Sequence, residues 1–277
     1  MGIHKLKGFA ARAGAVSLLS IGMIAGIAGA PAMAQTRTAP VTISYTVMGD
    51  SYSAGSGGGG EGYCGQSANG YGTWVAAAMG TQVTNIACAG FSTEQVRTLE
   101  VPQLSPSTTL ITLTAGGNDI GWTTAIGACL APTSTVALCK AAVANSIYLM
   151  RNLPKSVASM LKAIKAKAPG AKVLYVGYPR LFEPQNMAAL GFTPTQISGT
   201  KVLNAAADLL NGILAVSALS NRTAFVPVAY LFNGHGVPSA SPWLNNIGDS
   251  VYPFHPNLAG YQNGYAAALS PFLRTFR

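Results

Sequence analysis

Five short, β-branched apolar stretches, at residues 41–48, 83–87, 109–114, 172–178 and 223–228, alternate with helical patterns at 72–79, 93–99, 143–168, 194–220 and 258–272. This alternation is the feature that most constrains the fold. Strands separated by helix-length segments pair in parallel, and the helices then cover both faces of the sheet. Sheets of this kind bind ligands beyond the carboxyl ends of their strands, near the point where the strand order reverses. The segments to read for function are therefore those just after each strand. Pro154 interrupts the third helical pattern and predicts a kink or a split there. No internal repeat or long linker breaks the chain.

The first 34 residues read as an export signal. Lys5, Lys7 and Arg12 give a basic start, an apolar small-residue run covers 13–30, and Ala32-Met33-Ala34 offers a signal-peptidase site after Pro31. Cleavage near Ala34 predicts a secreted protein with one domain over 35–277. No segment beyond residue 34 is expected to be long and apolar enough to span a bilayer. Three of the 17 Lys and Arg residues and none of the 8 acids leave with the signal, so the net charge falls from +9 to +6. The remaining cations are scattered, apart from Lys162, Lys165 and Lys167 on one wet helix face. No stripe interleaves them with aromatics, which argues against a nucleic-acid partner.

Cys64, Cys88, Cys129 and Cys139 lie beyond the signal, and none forms C-x-x-C or sits at metal-ligand spacing from a histidine. Four exported cysteines predict two disulfides, with three pairings allowed. Cys64–Cys88 with Cys129–Cys139 is expected, because each closes a local loop.

Three strand ends carry chemistry. The first runs into Gly49-Asp50-Ser51-Tyr52-Ser53, where a serine hydroxyl stands at the binding edge beside unpaired backbone N–H groups. Gly-Asp-Ser alone is ordinary turn material, and a second copy at 248–250 follows no strand. The second strand ends in Cys88-Ala89-Gly90, which offers a glycine N–H. The third ends in Gly116-Gly117-Asn118-Asp119, whose Asn118 amide can donate to an oxyanion. A histidine base must be His235 or His255, since His4 leaves with the signal. His235 sits in a glycine-flanked loop. His255, in Phe254-His255-Pro256-Asn257, directly precedes the last helix, where a proline in the first turn restricts it. Residues 57–60 are glycines but lack the G-K-[ST] ending of a phosphate loop, so they read as a mobile rim of the site.

In order and rough spacing, these four blocks resemble those of the SGNH (GDSL-type) hydrolases, closest to the secreted actinomycete lipases and esterases. The resemblance covers nearly all of residues 42–272. It implies a three-layer α/β/α sandwich around a mainly parallel five-stranded sheet of flavodoxin-like type. It implies Ser51 as nucleophile, His255 as base, and Ser51 N, Gly90 N and the Asn118 side chain as the oxyanion hole. The two expected disulfides resemble two of the three usual in that subgroup. The third is missing, and Gly234-His235-Gly236 stands where relatives often carry one of its cysteines. A further departure is Tyr252, three residues before the histidine, where many members place an aspartate. Asp249 is six residues back. The expected substitute is a main-chain carbonyl accepting from the imidazole, that of Tyr252 in preference to Pro253.

The resulting expectation is a secreted, monomeric carboxylic ester hydrolase acting through an acyl-enzyme. Its substrate is a lipid or short-chain ester, with transient contact to a lipid surface, and it uses no cofactor or metal. Loops 120–142 and 181–196 are expected to set acyl-chain preference. An acyltransferase on the same acyl-enzyme, or a non-catalytic binding protein on the same scaffold, are the alternatives. The sequence holds no G-x-S-x-G elbow and no H-E-x-x-H motif.

Overall fold

The computed structural model describes residues 43–248 and 251–276. The expected signal, the start of the first expected strand, and Asp249 lie outside the described residues. Five strands, β1 (Tyr45–Gly49), β2 (Val83–Asn85), β3 (Leu110–Thr114), β4 (Lys172–Val176) and β5 (Ala224–Val226), form one sheet in the order β2-β1-β3-β4-β5. Every pairing is parallel. The order reverses between β1 and β3, whose last residues, Gly49 and Thr114, are register partners. Both strands are buried along their whole length, as central strands covered on both faces must be.

Helices α1 (Ser51–Ala54), α2 (Tyr71–Met79) and α3 (Thr93–Gln95) follow the first two strands. Helices α4 (Trp122–Leu130), α5 (Val136–Met150) and α6 (Leu153–Lys167) fill the β3–β4 crossover. Helix α7 (Pro194–Ser220) joins β4 to β5. A wide helical turn, Gly260–Ala266, leads into α8 (Ala267–Leu269) and packs near α2. The result is the three-layer α/β/α sandwich.

The expected helix at 143–168 is split, and Pro154 sits in the first turn of α6, where its missing N–H costs nothing. Helix α4 and the first half of α5 were not expected. Helix α7 corrects another expectation, because by length and composition it could cross a membrane. Here Leu203, Ala206, Leu210, Leu214 and Ala218 turn one face of it into the core. The disulfides are Cys64–Cys88 and Cys129–Cys139, and no cysteine among the described residues is free. The first lies against the β2 exit, and the second ties α4 to α5.

Candidate active site

The chain leaves β1 at Gly49, whose φ is +117°. A Cβ there would lie 2.2 Å from the Thr114 carbonyl oxygen, so only glycine lets the two central strands end this closely. Gly49 N donates to Glu100 Oε2 at 2.6 Å. Asp50 then caps α1, accepting from Tyr52 N at 3.0 Å. Burial pushes the Asp50 carboxyl up to about 7, although hydrogen bonds from Tyr178 and Tyr52 pull it down. Burial likewise pushes Glu100 up to about 8, against the Gly49 N–H bond, and Glu100 Oε1 is buried without a partner.

Ser51 begins α1, so its N–H has no helical acceptor, and neither it nor Gly90 N has one elsewhere among the described residues. Gly90 stands after β2 at φ +85°. Asn118 stands after β3, and its Nδ2 donates one hydrogen to Phe91 O at 2.9 Å, leaving the other available. Asp119 accepts from Thr93 N at 2.9 Å, fastening this turn to the one bearing Gly90.

His255 arrives from the far end of the chain. Its Nε2 lies 2.7 Å from Ser51 Oγ, and its Nδ1 lies 3.0 Å from Pro253 O. A carbonyl can only accept, so Nδ1 carries the proton and Nε2 is left to accept from the serine hydroxyl. This corrects the expected Tyr252 carbonyl. Tyr252 O faces the main-chain N–H of His255, 3.3 Å away, and so closes the turn instead. The turn needs Phe254 at φ +64°, an unusual conformation for a bulky residue. Asn245 braces it, accepting from Phe254 N at 2.8 Å and donating to His255 O at 2.9 Å through its own N–H. Burial pushes the imidazole below the ordinary histidine range, partly offset by the Pro253 and Tyr252 carbonyls. The following helix is capped by Asn257 rather than begun by Pro256: Asn257 Oδ1 accepts from Gly260 N at 3.0 Å.

These residues share one cleft of about 370 Å³. Trp122, Thr123, Ile126 and Gly127 of α4 form one wall, and 251–254 form another. Part of the 120–142 segment thus lines the cleft. No residue of 181–196 lines the cleft. His235 is elsewhere, stacked on Trp243 at 3.8 Å. The glycine run 57–60 is laced rather than loose: Glu61 Oε1 accepts from Gly57 N and Gly59 N, and Asn245 Nδ2 donates to Gly57 O. Among the described residues, no group of three or more His, Cys, Asp or Glu side chains converges as a metal site. Sequence reasoning missed Tyr178 and Glu100, and ranked Pro253 O second to Tyr252 O. Only the abundance of tyrosine, 11 in the chain, hinted at buried hydroxyls.

A parallel sheet that gathers a serine, a histidine and three N–H donors at its carboxyl edge has the layout of a hydrolytic α/β enzyme. The model of the GDSL-like lipase/acylhydrolase family matches residues 47–262. Lipase 1 of Streptomyces coelicolor is 34% identical over 269 residues, spanning 93% of this chain and 96% of its own. The solved extracellular lipase of Streptomyces rimosus superposes with a TM-score of 0.76 at 31% identity, over 83% of this chain and 99% of that one. The phospholipase A1 of Streptomyces albidoflavus NA297 does so with a TM-score of 0.75 at 32% identity, with the same two coverages. The chain belongs to the GDSL-like lipase/acylhydrolase family and is a carboxylic ester hydrolase.

Proposed function

We propose that this enzyme is a secreted lipase or esterase that cleaves acyl esters through Ser51 and His255, by way of an acyl-enzyme. The observation that carries the reading is the relay Ser51 Oγ–His255 Nε2 at 2.7 Å and His255 Nδ1–Pro253 O at 3.0 Å. Ser51 Oγ attacks the ester carbonyl carbon as its proton passes to Nε2. The carbonyl electrons move onto oxygen, facing Ser51 N, Gly90 N and Asn118 Nδ2. When the oxyanion collapses, the ester C–O bond breaks and the Nε2 proton leaves with the alcohol. Water, deprotonated by the same nitrogen, then releases the acid and restores the serine. Throughout, Pro253 O holds Nδ1–H in the productive tautomer, the task a carboxylate performs in a triad.

The apolar wall of Trp122 and Ile126 suits an acyl chain, and Val251, 86% exposed at the cleft, suits brief contact with a lipid surface. Relatives named as lipases and a phospholipase A1 support a lipid ester as substrate. The basic-apolar start with Ala32-Met33-Ala34, two disulfides, and an extracellular relative support export as a 35–277 domain. A fluorophosphonate probe tests the reading: wild type is expected to be labelled and Ser51→Ala not. Equal labelling of both would remove Ser51 from its role.

A further inference from the structure

Tyr178 stands two residues beyond β4, and its hydroxyl reaches both the turn that carries Asn118 and the turn that carries Ser51. Its main chain is held from α7 on both sides: Asn211 Oδ1 accepts from Tyr178 N, and Asn211 Nδ2 donates to Tyr178 O, each at 2.9 Å. Its ring is set edge-on against Tyr52, with centroids 5.2 Å apart. The phenol oxygen is therefore delivered to a fixed point. There it accepts from Gly117 N at 2.9 Å and donates to Asp50 Oδ2 at 2.5 Å. The amide can only donate, so the phenol oxygen accepts from Gly117 N and its own proton is free to point at Asp50 Oδ2. Gly117 immediately precedes Asn118, and Asp50 immediately precedes Ser51. A Cβ at position 117 would lie 3.2 Å from the phenol oxygen, so the close approach favours glycine.

Strand pairing between β1 and β3 ends at Thr114, and the four residues from there to Asn118 need other anchors. Tyr175 holds the first, donating to Ala115 O at 2.8 Å. Tyr178 holds the peptide next to Asn118 itself. On the other side, the Asp119–Thr93 and Asn118–Phe91 bonds continue to the Gly90 turn. We propose that Tyr178 is a positioning residue for ester hydrolysis, its hydroxyl latching the Asn118 turn to the Ser51 turn and so aligning the oxyanion donors with the serine. Donors fixed in advance stabilise a developing charge without reorganising, and slack of an ångström removes much of that advantage.

The proposal rests on the Ser51–His255 reading above, and its test separates the two. Tyr178→Phe keeps the ring against Tyr52 and deletes one oxygen. With a p-nitrophenyl ester, kcat per active site, counted by fluorophosphonate titration, is expected to fall about 10- to 100-fold with KM within about 2-fold. The Ki of an alkyl boronic acid, which puts an oxygen where the oxyanion forms, should rise in parallel. Gly117→Ala, which presses a methyl on the phenol oxygen, should give the same pattern with Tyr178 intact. A residue of purely structural value would lower the melting temperature and the number of titratable sites, leaving kcat per site and boronate affinity unchanged. That result overturns the latch. Ser51→Ala run alongside reads the underlying assignment: if it stays active the serine reading fails, and if it is dead while Tyr178→Phe is normal only the latch fails.

Discussion

In the proposed mechanism, replacing Asn118 with alanine removes the one oxyanion donor that belongs to a side chain, since those of Ser51 and Gly90 are main-chain groups. Two separable losses follow from the structure. One Nδ2 hydrogen is committed to Phe91 O at 2.9 Å, which holds the amide in place before any substrate arrives. The other is the donor that the proposed mechanism assigns to the oxyanion. Loss of a preorganised oxyanion donor costs about 3–4 kcal/mol of transition-state stabilisation, or roughly 100- to 1000-fold in kcat. Loss of the Phe91 bond costs the fold about 1 kcal/mol, a fall in melting temperature of about 2–4 °C for a domain of this size. KM should hardly change, because the ground-state carbonyl takes little from this donor. Steady-state kinetics on p-nitrophenyl esters and a thermal melt read both quantities from one preparation. Asn118→Asp should be slower still, since a carboxylate there repels both Phe91 O and the oxyanion. A kcat loss under about tenfold in folded Asn118→Ala, or a loss carried wholly by KM, would refute the assignment.

Two predictions concern protons. The His255 imidazole should titrate below the ordinary value of about 6.5, because burial disfavours its charged form, and the enzyme should keep its base neutral into mildly acidic conditions. NMR of the ring Cε1–H in His235→Asn protein reads this, and a midpoint above 6.5 would contradict it. Asp50 and Glu100 have the opposite consequence for stability. Their folded-state values, about 7 and about 8, lie above the ordinary carboxyl range, so the folded state binds more protons than the unfolded chain between about pH 4 and 8. Their stabilisation is complete below the unfolded values and lost as pH rises through the folded ones. The melting temperature should therefore fall from pH 5 to pH 8, and Glu100→Gln should flatten that slope; an unaltered slope would show that Glu100 does not titrate in this window.

All five strands were legible, including the partly buried β2 and β5. β3 (Leu-Ile-Thr-Leu-Thr) and β4 (Lys-Val-Leu-Tyr-Val) read as short β-branched or apolar runs because a central parallel strand meets helices on both faces. Helix α4 was not legible: Trp122–Leu130 mixes Thr, Gly and Cys, whose intrinsic helix preference is weak. It is held by the neighbouring α5, to which Cys129–Cys139 ties it, and by α7, which is remote in the chain. The same limit explains the cleft. Segment 251–254 lines the cleft where 181–196 does not, held by Asn245 and by Phe182, the latter remote from it in sequence.

The site itself divides along a physical line. Ser51, Asn118 and His255, which the structure gathers in one cleft, were legible as candidates because a sequence names side chains directly. Pro253 O was misassigned to its neighbour because a carbonyl's direction is set by the dihedrals around it, and here by Phe254 at φ +64°. Phenylalanine gives no warning of that conformation, which costs about 1–2 kcal/mol in a residue with a Cβ. The ring offsets it: Phe254 is 9% exposed and lies edge-on to Phe182 at 5.2 Å, and burying a phenyl side chain contributes about 1.5–3 kcal/mol. The buried ring anchors the strained peptide, the strained peptide aims Pro253 O at Nδ1, and the carbonyl fixes the tautomer that leaves Nε2 facing Ser51. A buried apolar ring thus helps to set the geometry in which a main-chain carbonyl takes the place of the aspartate that this chain lacks three residues before its histidine.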